Sequence, residues 1–449
     1  MNPNIFRQFS IRGNAERDLP DDVVFRIGQA MGAHFAASAS EPIVVVGRDV
    51  RRSSPRISQT LINGLTATGA TVFDVGLVPT PALNFAADYF QASGGIMVTA
   101  SHNPPADNGF KLRDDRRTLT GDTLQNLYRL AMTGDFPAGQ GMAMPRDVLI
   151  PYVDALERRV MPGRTLKIVV DGGNGANGAV VSAFLRRLGH TVIEVFTDLD
   201  GSFPNRNPDP TAENALAAAV AAVQKNNADC GFAFDGDGDR VALIDDRGGV
   251  HFGDVILMLL ARQMATQIGG VTVVHDASST RALADDVSAH GGTAIAAPVG
   301  YAFVHETMKK VGAQLGGESA GHIFILDDEF RFDDAILATV HLLNLLAGQS
   351  HPLSALIADL PRYHTSPNYR IACPDEKKSA VVAALKSRFS RYPQDDIDGV
   401  KIFFEHGWAL VRPSNTQPAL SWRVEGETAD DLAEITAVVE ASLAEIRET

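Results

Sequence analysis

Three stretches of the chain follow one plan. "IVVVGRDVRRSSPRISQTLINGLTATGATVFDV" begins at Ile43, "KIVVDGGNGANGAVVSAFLRRLGHTVIEV" at Lys167 and "VTVVHDASSTRALADDVSAHGGTAIAAPV" at Val271. Each reads as an apolar strand, a polar turn, an amphipathic helix, a glycine turn and a second strand. That is a βαβ unit, whose strands pair in parallel through a right-handed crossover. Three copies predict three α/β domains of similar design. In open sheets of this kind, ligands collect outside the carboxyl ends of the strands. Those ends carry Arg48-Asp49, Asp171-Gly172-Gly173 and Asp276-Ala277-Ser278.

The tail breaks the pattern. "KKSAVVAALKSRF" is helical, "VKIFFEHGWALVRPS" and "ALSWRVEGE" read as strands, and "TADDLAEITAVVEASLAEI" is a helix with Thr428 and Asp431 at capping-box spacing. The reading is therefore α/β: four domains, three similar mixed α/β domains plus a smaller C-terminal α+β domain. The expected boundaries are 1–146, 147–249, 250–361 and 362–449, with "TGDFPAGQGMAMP" as the clearest linker. Composition narrows the partners. A net charge of −14 with no basic stripe argues against nucleic acid and anionic membrane. Any anionic ligand must be drawn by local cations or a metal. Two cysteines, Cys230 and Cys373, make no disulfide framework. With no long apolar run and no signal-peptide core, a cytoplasmic protein is expected.

Four clusters carry chemistry. "GGIMVTASHNPPADNGFKL" runs a buried strand, Ile96 to Val98, into Ser101, His102 and Asn103 before two prolines. By itself this is equally a turn. "CGFAFDGDGDRVALID" sets Asp235, Asp237 and Asp239 between glycines. Three carboxylates so close repel unless protons or a cation compensate, and an all-oxygen set selects a hard ion, Mg²⁺ first. An EF-hand fails, because its glycine position holds Arg240 and its glutamate position holds Asp246. The other reading is a solvated Asp-Gly hairpin turn. "GGESAGH" places Glu318, Ser319 and His322 on a glycine-rich loop, and it is equally an ordinary turn. "VRPSNTQPALSWRVEG" offers Arg412, Ser414, Asn415 and Thr416 on a loop bounded by Pro413 and Pro418, a composition that suits a phosphate and equally a Pro-rich turn with a solvated Arg. Together a nucleophile, a hard metal, a hydrogen-bonding loop and a phosphate nest point to phosphoryl transfer on a polyol phosphate.

These motifs, with "IFRQFSIRG", "VGRDVRRSSP", "VPTPAL" and "FPNRNPDPTAENAL", occur in one order along the whole chain. The chain resembles the α-D-phosphohexomutase superfamily. The resemblance implies four domains around a central cleft. It implies reversible transfer of a phosphoryl group between the 1- and 6-positions of glucose or mannose phosphate, with phosphoglucosamine mutase, a metal-dependent phosphatase and an inactive sugar-phosphate binder as rivals. Ser101 matches the serine that is phosphorylated and, with Asp235, Asp237 and Asp239, the Mg²⁺ ligands. His102, Lys111 and Arg240 match groups about the transferred phosphate. Arg12, Tyr301, Glu318, Ser319 and His322 match substrate-facing positions, and Arg412, Ser414, Asn415 and Thr416 the distal phosphate loop. The resemblance further implies glucose 1,6-bisphosphate as activator and a monomer or weak dimer. The family pattern is altered at Phe9-Ser10, at Ser278 (commonly Lys), at Tyr301 (commonly His) and at Ser319-Ala320 (commonly Met-Ser), all on the sugar side.

Overall fold

A computed structural model describes residues 1–114, 117–414 and 418–448. The chain forms two compact units. One comprises Met1–Ile256 with Ala320–Ala358, the other Leu257–Ser319 with Asp359–Thr449.

The first unit holds two of the expected repeats. Strands β1 (Ile11–Asn14), β2 (Ile43–Arg48), β3 (Thr71–Leu77), β4 (Gly94–Val98), β5 (Asp107–Asp114) and β6 (Ala143–Pro145) form a sheet of order β1-β5-β4-β2-β3-β6. β2 lies parallel to β3 and to β4, while β4 and β5 are antiparallel, with Met97 opposite Lys111. The second repeat gives β7 (Lys167–Asp171), β8 (Thr191–Val195), β9 (Cys230–Phe234), β10 (Val241–Asp245) and β11 (Val250–His251), in the order β11-β10-β9-β7-β8. Here β7 is parallel to β8 and β9, and β9 and β10 form an antiparallel hairpin. Each repeat is thus a βαβ unit extended by one parallel strand and then one antiparallel strand. Strands covered on both faces read as continuous apolar runs, as Ile43–Val46 and Ile168–Val170 do. Val44, Val46, Ile96 and Phe110 join Ile27 and Leu61 of the covering helices in one core. Those helices, Asp21–Ala36 and Ser54–Thr66, touch backbone to backbone at Gly28 and Gly64. A Cβ on Gly64 would sit 2.3 Å from the Phe25 carbonyl.

The stretch read as a linker carries no helix or strand over 134–142, and its last three residues also join a sheet. Residues 143–145 are strand β6, parallel to β3, and Gly139 and Gly141 donate to Ala67 and Thr66. A proline in an edge strand costs no ladder bond, so a Pro- and Gly-rich stretch serves here as a sheet edge.

In the second unit, β12 (Thr272–Asp276), β13 (Thr293–Ala297) and β14 (Leu315–Gly317) are parallel about β12. β15 (Ile323–Ile325) follows in the chain and lies within the first unit. The C-terminal part contributes β16 (His364–Thr365), β17 (Tyr369–Ala372), β18 (Gln394–Asp395), β19 (Val400–Phe404), β20 (Gly407–Pro413) and β21 (Ala419–Gly426), all antiparallel. Helices Asp375–Arg388 and Ala429–Glu448 cover it through Leu385, Val439 and Leu443. The capping box forms: Asp431 accepts from the Thr428 amide at 2.9 Å, and the Asp431 amide donates to the Thr428 hydroxyl at 3.1 Å. Arg412 lies in β20 opposite Ser421, at the end of the strand and not on the loop. Asn415 and Thr416 lie outside the described residues.

In chain order, the three motif loops occupy one equivalent place. "TASHNP" joins β4 to β5, "DGDGDR" joins β9 to β10, and "ESAGH" joins β14 to β15. Each is the connection that follows the third strand of its repeat.

Candidate active site

Ser101 has φ +51°, in the left-handed region that a side chain other than Gly, Asn or Asp seldom visits. Such a conformation persists only where its surroundings over-determine it. Arg51 supplies the constraint. It is fully buried, and its guanidinium donates to four carbonyls of the loop: Ser101 (2.8 Å), Asn103 (2.6 Å), Pro104 (2.5 Å) and Asp107 (3.0 Å). Its Nε donates to Asp49 at 3.1 Å. Asp49 also accepts from Thr99, whose hydroxyl takes the Ser101 amide at 2.8 Å. The Ser101 hydroxyl, 2% exposed as a residue, then donates to Asp235 Oδ2 at 2.7 Å and lies 3.1 Å from His102 Nδ1.

Asp235 opens the hairpin loop between β9 and β10. Sequence alone allowed a solvated acidic turn. The loop is instead buried, with Asp235, Asp237 and Asp239 at most 1% exposed. Gly238, at φ +78°, permits the curl, and a Cβ there would fall 2.0 Å from Asn177 Oδ1. Asn177 donates to the Gly238 carbonyl at 2.9 Å, and Arg206 of "FPNRNPDP" braces the strand end through Asp171 (2.9 Å) and the Phe234 carbonyl (2.7 Å). Lys111, from β5, reaches in and bonds Asp237 at 2.7 Å and also Asp239. Thr80 donates to Asp237 at 2.7 Å. Arg240 bonds Asp235 at 3.3 Å and faces Asp209 at 3.5 Å.

Burial, with the negative fields of Asp237 and Asp239, pushes the Asp235 carboxyl up to about 6. Burial acts the same way on Asp237, yet Lys111 and Thr80 hold it below the usual carboxylate range. Burial opposes the charge on Lys111, but Asp237 and Asp239 outweigh it and keep the ammonium charged. Desolvation, then Arg240 and Arg12, hold His102 well below its usual value, so the imidazole is neutral at pH 7.

The triplet fits a divalent cation. One oxygen from each carboxylate lies within 4.8 Å of the others. Asp237 Oδ1 and Asp239 Oδ1 are buried without a hydrogen-bond partner. Buried carboxylate oxygens are costly unless something engages them, and a hard cation would do so. A second group, Asp239, His322 and Asp333, shares Asp239, and His322 Nδ1 lies 2.6 Å from Asp333. His322 also bridges to Arg240 through the backbone. Arg12 donates to Asn103 of the serine loop at 3.3 Å.

The remaining candidates belong to the second unit. Glu318 is buried, and Ser319 caps Asp276 through its amide at 2.6 Å. Arg412 Nε donates to Asp398 at 2.5 Å, and the same oxygen accepts the Val299 amide, two residues before Tyr301. Tyr301 begins helix Tyr301–Val311. The Ser414 amide donates to the Ala419 carbonyl, and Lys378 donates to the Ser414 carbonyl at 2.9 Å. Sequence reasoning missed Arg51, Thr80 and Asp333, and it placed Asp49 at a strand end without giving it a role. Asp49 and Arg51 stand in "VGRDVRRSSP" and Thr80 in "VPTPAL", so the motifs were visible but the roles were not.

Fold and site together define an α/β enzyme built of repeated mixed sheets, with a serine set against a buried carboxylate cluster able to hold a metal. Four family models cover the chain in succession: phosphoglucomutase/phosphomannomutase alpha/beta/alpha domain I over residues 3–137, domain II over 151–249, domain III over 252–363 and the C-terminal domain over 369–442. The chain belongs to the phosphoglucomutase/phosphomannomutase family. It is 38% identical over 444 residues to the phosphomannomutase/phosphoglucomutase of Pseudomonas syringae pv. tomato, covering 98% of this chain and 95% of that one. It is 37% identical to a phosphoglucomutase of Neisseria meningitidis serogroup A, covering 95% and 93%. A crystal structure of a phosphoglucomutase/phosphomannomutase family protein from Burkholderia thailandensis superposes with a TM-score of 0.92 at 34% identity, covering 100% of this chain and 98% of that one.

Proposed function

We infer that this chain is a phosphohexomutase that moves a phosphoryl group between the 1- and 6-positions of glucose and mannose phosphates. The observation that carries the reading is Ser101, held in a left-handed conformation with its hydroxyl 2.7 Å from Asp235 at the edge of the carboxylate triplet. The names of the relatives favour a hexose phosphate over a glucosamine phosphate. In the first step the Oγ–P bond of phospho-Ser101 breaks and a bond forms from phosphorus to the free hydroxyl of the bound hexose phosphate. The hydroxyl proton passes to a base, for which the neutral His102 is competent, and a proton goes to Ser101 Oγ as it leaves, from the same imidazole, whose Nδ1 lies 3.1 Å away. In the second step the bisphosphate, turned about, returns its other phosphoryl to Ser101. Asp235, Asp237 and Asp239 would hold Mg²⁺, which supplies charge compensation for the transferring phosphoryl. Lys111 and Arg240 keep cations beside the same centre, and Arg12 and His322 stand next to them.

Glu318, Ser319 and Tyr301 read the sugar in this account, and Arg412 with Ser414, Asn415 and Thr416 holds the non-reacting phosphate. Glucose 1,6-bisphosphate primes Ser101, and the chain works as a monomer or weak dimer in the cytoplasm. Among the described residues no helix is long and apolar enough to cross a membrane.

The test is turnover of glucose, mannose and glucosamine 1-phosphates with glucose 1,6-bisphosphate as primer, with free phosphate measured alongside. Mutase turnover of glucose and mannose 1-phosphates, with little phosphate released, is expected. Their kcat/KM values should lie within roughly 200-fold of each other, because no charged group of the loop is devoted to C2. Stoichiometric phosphate release would make the chain a phosphatase. No turnover at all would leave a binding protein.

A further inference from the structure

The oxygens of the carboxylate triplet are not equivalent. Asp237 Oδ2 accepts from Thr80 Oγ1 at 2.7 Å and from Lys111 Nζ at 2.7 Å. Two donors use both lone pairs of that oxygen. Asp239 Oδ2 also accepts from Lys111. Asp235 is engaged on both sides: Oδ1 accepts the Gly238 and Arg240 amides at 3.0 and 3.2 Å, and Oδ2 accepts the Ser101 hydroxyl and Arg240 Nε. Asp237 Oδ1 and Asp239 Oδ1 are buried and have no hydrogen-bond partner. A cation at the triplet thus finds one bare oxygen on Asp237 and one on Asp239.

Thr80 fixes this sorting at Asp237. It is 3% exposed and opens the ten-residue helix Thr80–Tyr89 beside the first sheet, whereas Asp237 sits on the β9–β10 loop of the second. The two are 157 positions apart in the chain. Thr80 holds Asp237 twice, through its amide to the Asp237 carbonyl at 2.9 Å and through its hydroxyl to Oδ2. The first amides of a helix have no partner within it, so the carbonyl satisfies one of them. A carboxylate can only accept, so the hydroxyl proton is committed to Oδ2. Lys111 comes from β5 on a flexible stem and divides itself between Asp237 and Asp239. Thr80 is short and stiff at χ1, so it is the contact that sets the angle of the Asp237 carboxylate.

We propose that Thr80 is a positioning residue for the metal: it turns Asp237 so that Oδ1 alone faces the cation, and it thereby favours Mg²⁺ over Ca²⁺. This rests on the reading of the triplet as the Mg²⁺ site. Mg²⁺ demands near-octahedral geometry at short distances, whereas Ca²⁺ takes carboxylates through one oxygen or both in looser geometry. An all-oxygen set by itself admits either ion. A carboxylate with one oxygen already spent on a fixed donor suits the stricter of the two.

The experiment titrates Mg²⁺ and Ca²⁺ by calorimetry into the full chain, treated with glucose 1,6-bisphosphate and then freed of it, as wild type, Thr80→Val, Thr80→Ala and Thr80→Ser. Thr80→Val and Thr80→Ala should each bind Mg²⁺ ~10–100-fold more weakly, the usual cost of losing a hydrogen bond that orients a metal ligand. Thr80→Ser keeps the hydroxyl and should stay within about threefold of wild type. Ca²⁺ should lose less than Mg²⁺ in the valine and alanine variants, so the preference for Mg²⁺ narrows. Urea unfolding shows which variants fold, and the alanine variant answers the question if the valine variant does not. Equal losses for the two ions would mean that the loop is merely loosened, and that result would overturn the proposal. So would a folded alanine variant within about twofold of wild type for Mg²⁺, or a serine variant as weak as the alanine one. A wild-type chain that binds no Mg²⁺ would overturn the reading of the triplet itself, and the role of Thr80 with it.

Discussion

Replacing Arg51 by lysine tests whether the serine loop is held from behind. Arg51 makes five donated hydrogen bonds, four to loop carbonyls and one to Asp49. An ammonium has three donors and radiates them from one point, so it cannot span the same set. Carbonyls near the surface can turn to water. The Ser101 carbonyl, in a buried contact, cannot, and an orphaned buried acceptor costs ~1–3 kcal/mol. A side chain held in a sparsely populated backbone region costs ~1–3 kcal/mol as well. The two quantities are of one size, so losing the clamp removes the reason for Ser101 to stay at φ +51°. Relaxation would carry its Oγ away from Asp235. A displacement on the order of 1 Å at a reacting atom lowers rate ~10²-fold. Arg51→Lys should therefore lower kcat by ~10²-fold while changing KM less than about threefold, since Arg51 touches the loop and not the sugar. A coupled mutase assay gives both constants, and urea unfolding shows whether the domain still folds. A folded variant with kcat within threefold of wild type would refute the clamp.

Four further outcomes follow from the same geometry. Ser101→Ala should fold and lose most turnover, and intact-protein mass spectrometry of the wild type should place a phosphate on Ser101; an adduct elsewhere, with the variant fully active, would end the mechanism. Mg²⁺ should bind more tightly to the phosphorylated protein, because the phosphate adds about −1.5 to −2 charge beside three carboxylates, and calorimetry finding equal affinities would exclude a shared ligand set. Arg412→Ala should raise KM for phosphosugars and increase the requirement for added glucose 1,6-bisphosphate; wild-type values in both would remove Arg412 from the phosphate site. Burial, then Arg159, lowers His341 to about 4. The folded state thus refuses a proton that the unfolded chain accepts from about pH 6.5 downward. Stability should fall as pH drops from about 6.5 to 4, by a few kcal/mol at most, and His341→Gln should flatten that part of the profile in denaturant melts at stepped pH.

Local patterns were legible because their causes are local. The βαβ repeats follow from apolar periodicity and glycine turns, and each pairing expected of them is present: β2 with β3, β7 with β8, β12 with β13. The box between Thr428 and Asp431 needs only three residues of spacing. The Asp235–Asp239 cluster announced itself because carboxylates that close demand compensation wherever the chain puts them. The stretch from Thr133 to Pro145 was legible as a break between repeats, but not as the edge of a sheet. Glycine and proline mark a break in local pattern, and whether that break becomes a linker or a sheet edge depends on the strand beside it.

By itself, then, the sequence determined the repeats, the motif loops and a carboxylate cluster in need of compensation. Tertiary structure alone decided who meets whom. Lys111 finds Asp237 and Asp239, Thr80 finds Asp237, and the Ser319 amide finds Asp276 only because separate strands end side by side. Nor does any local rule say that Arg51, two residues past Asp49, turns its fork inward to four carbonyls of a distant loop. A hydrogen bond depends on distance and angle to a tenth of its length. Partners far apart in the chain acquire that geometry from packed sheets and helices, and neither residue's neighbours in sequence carry a record of it.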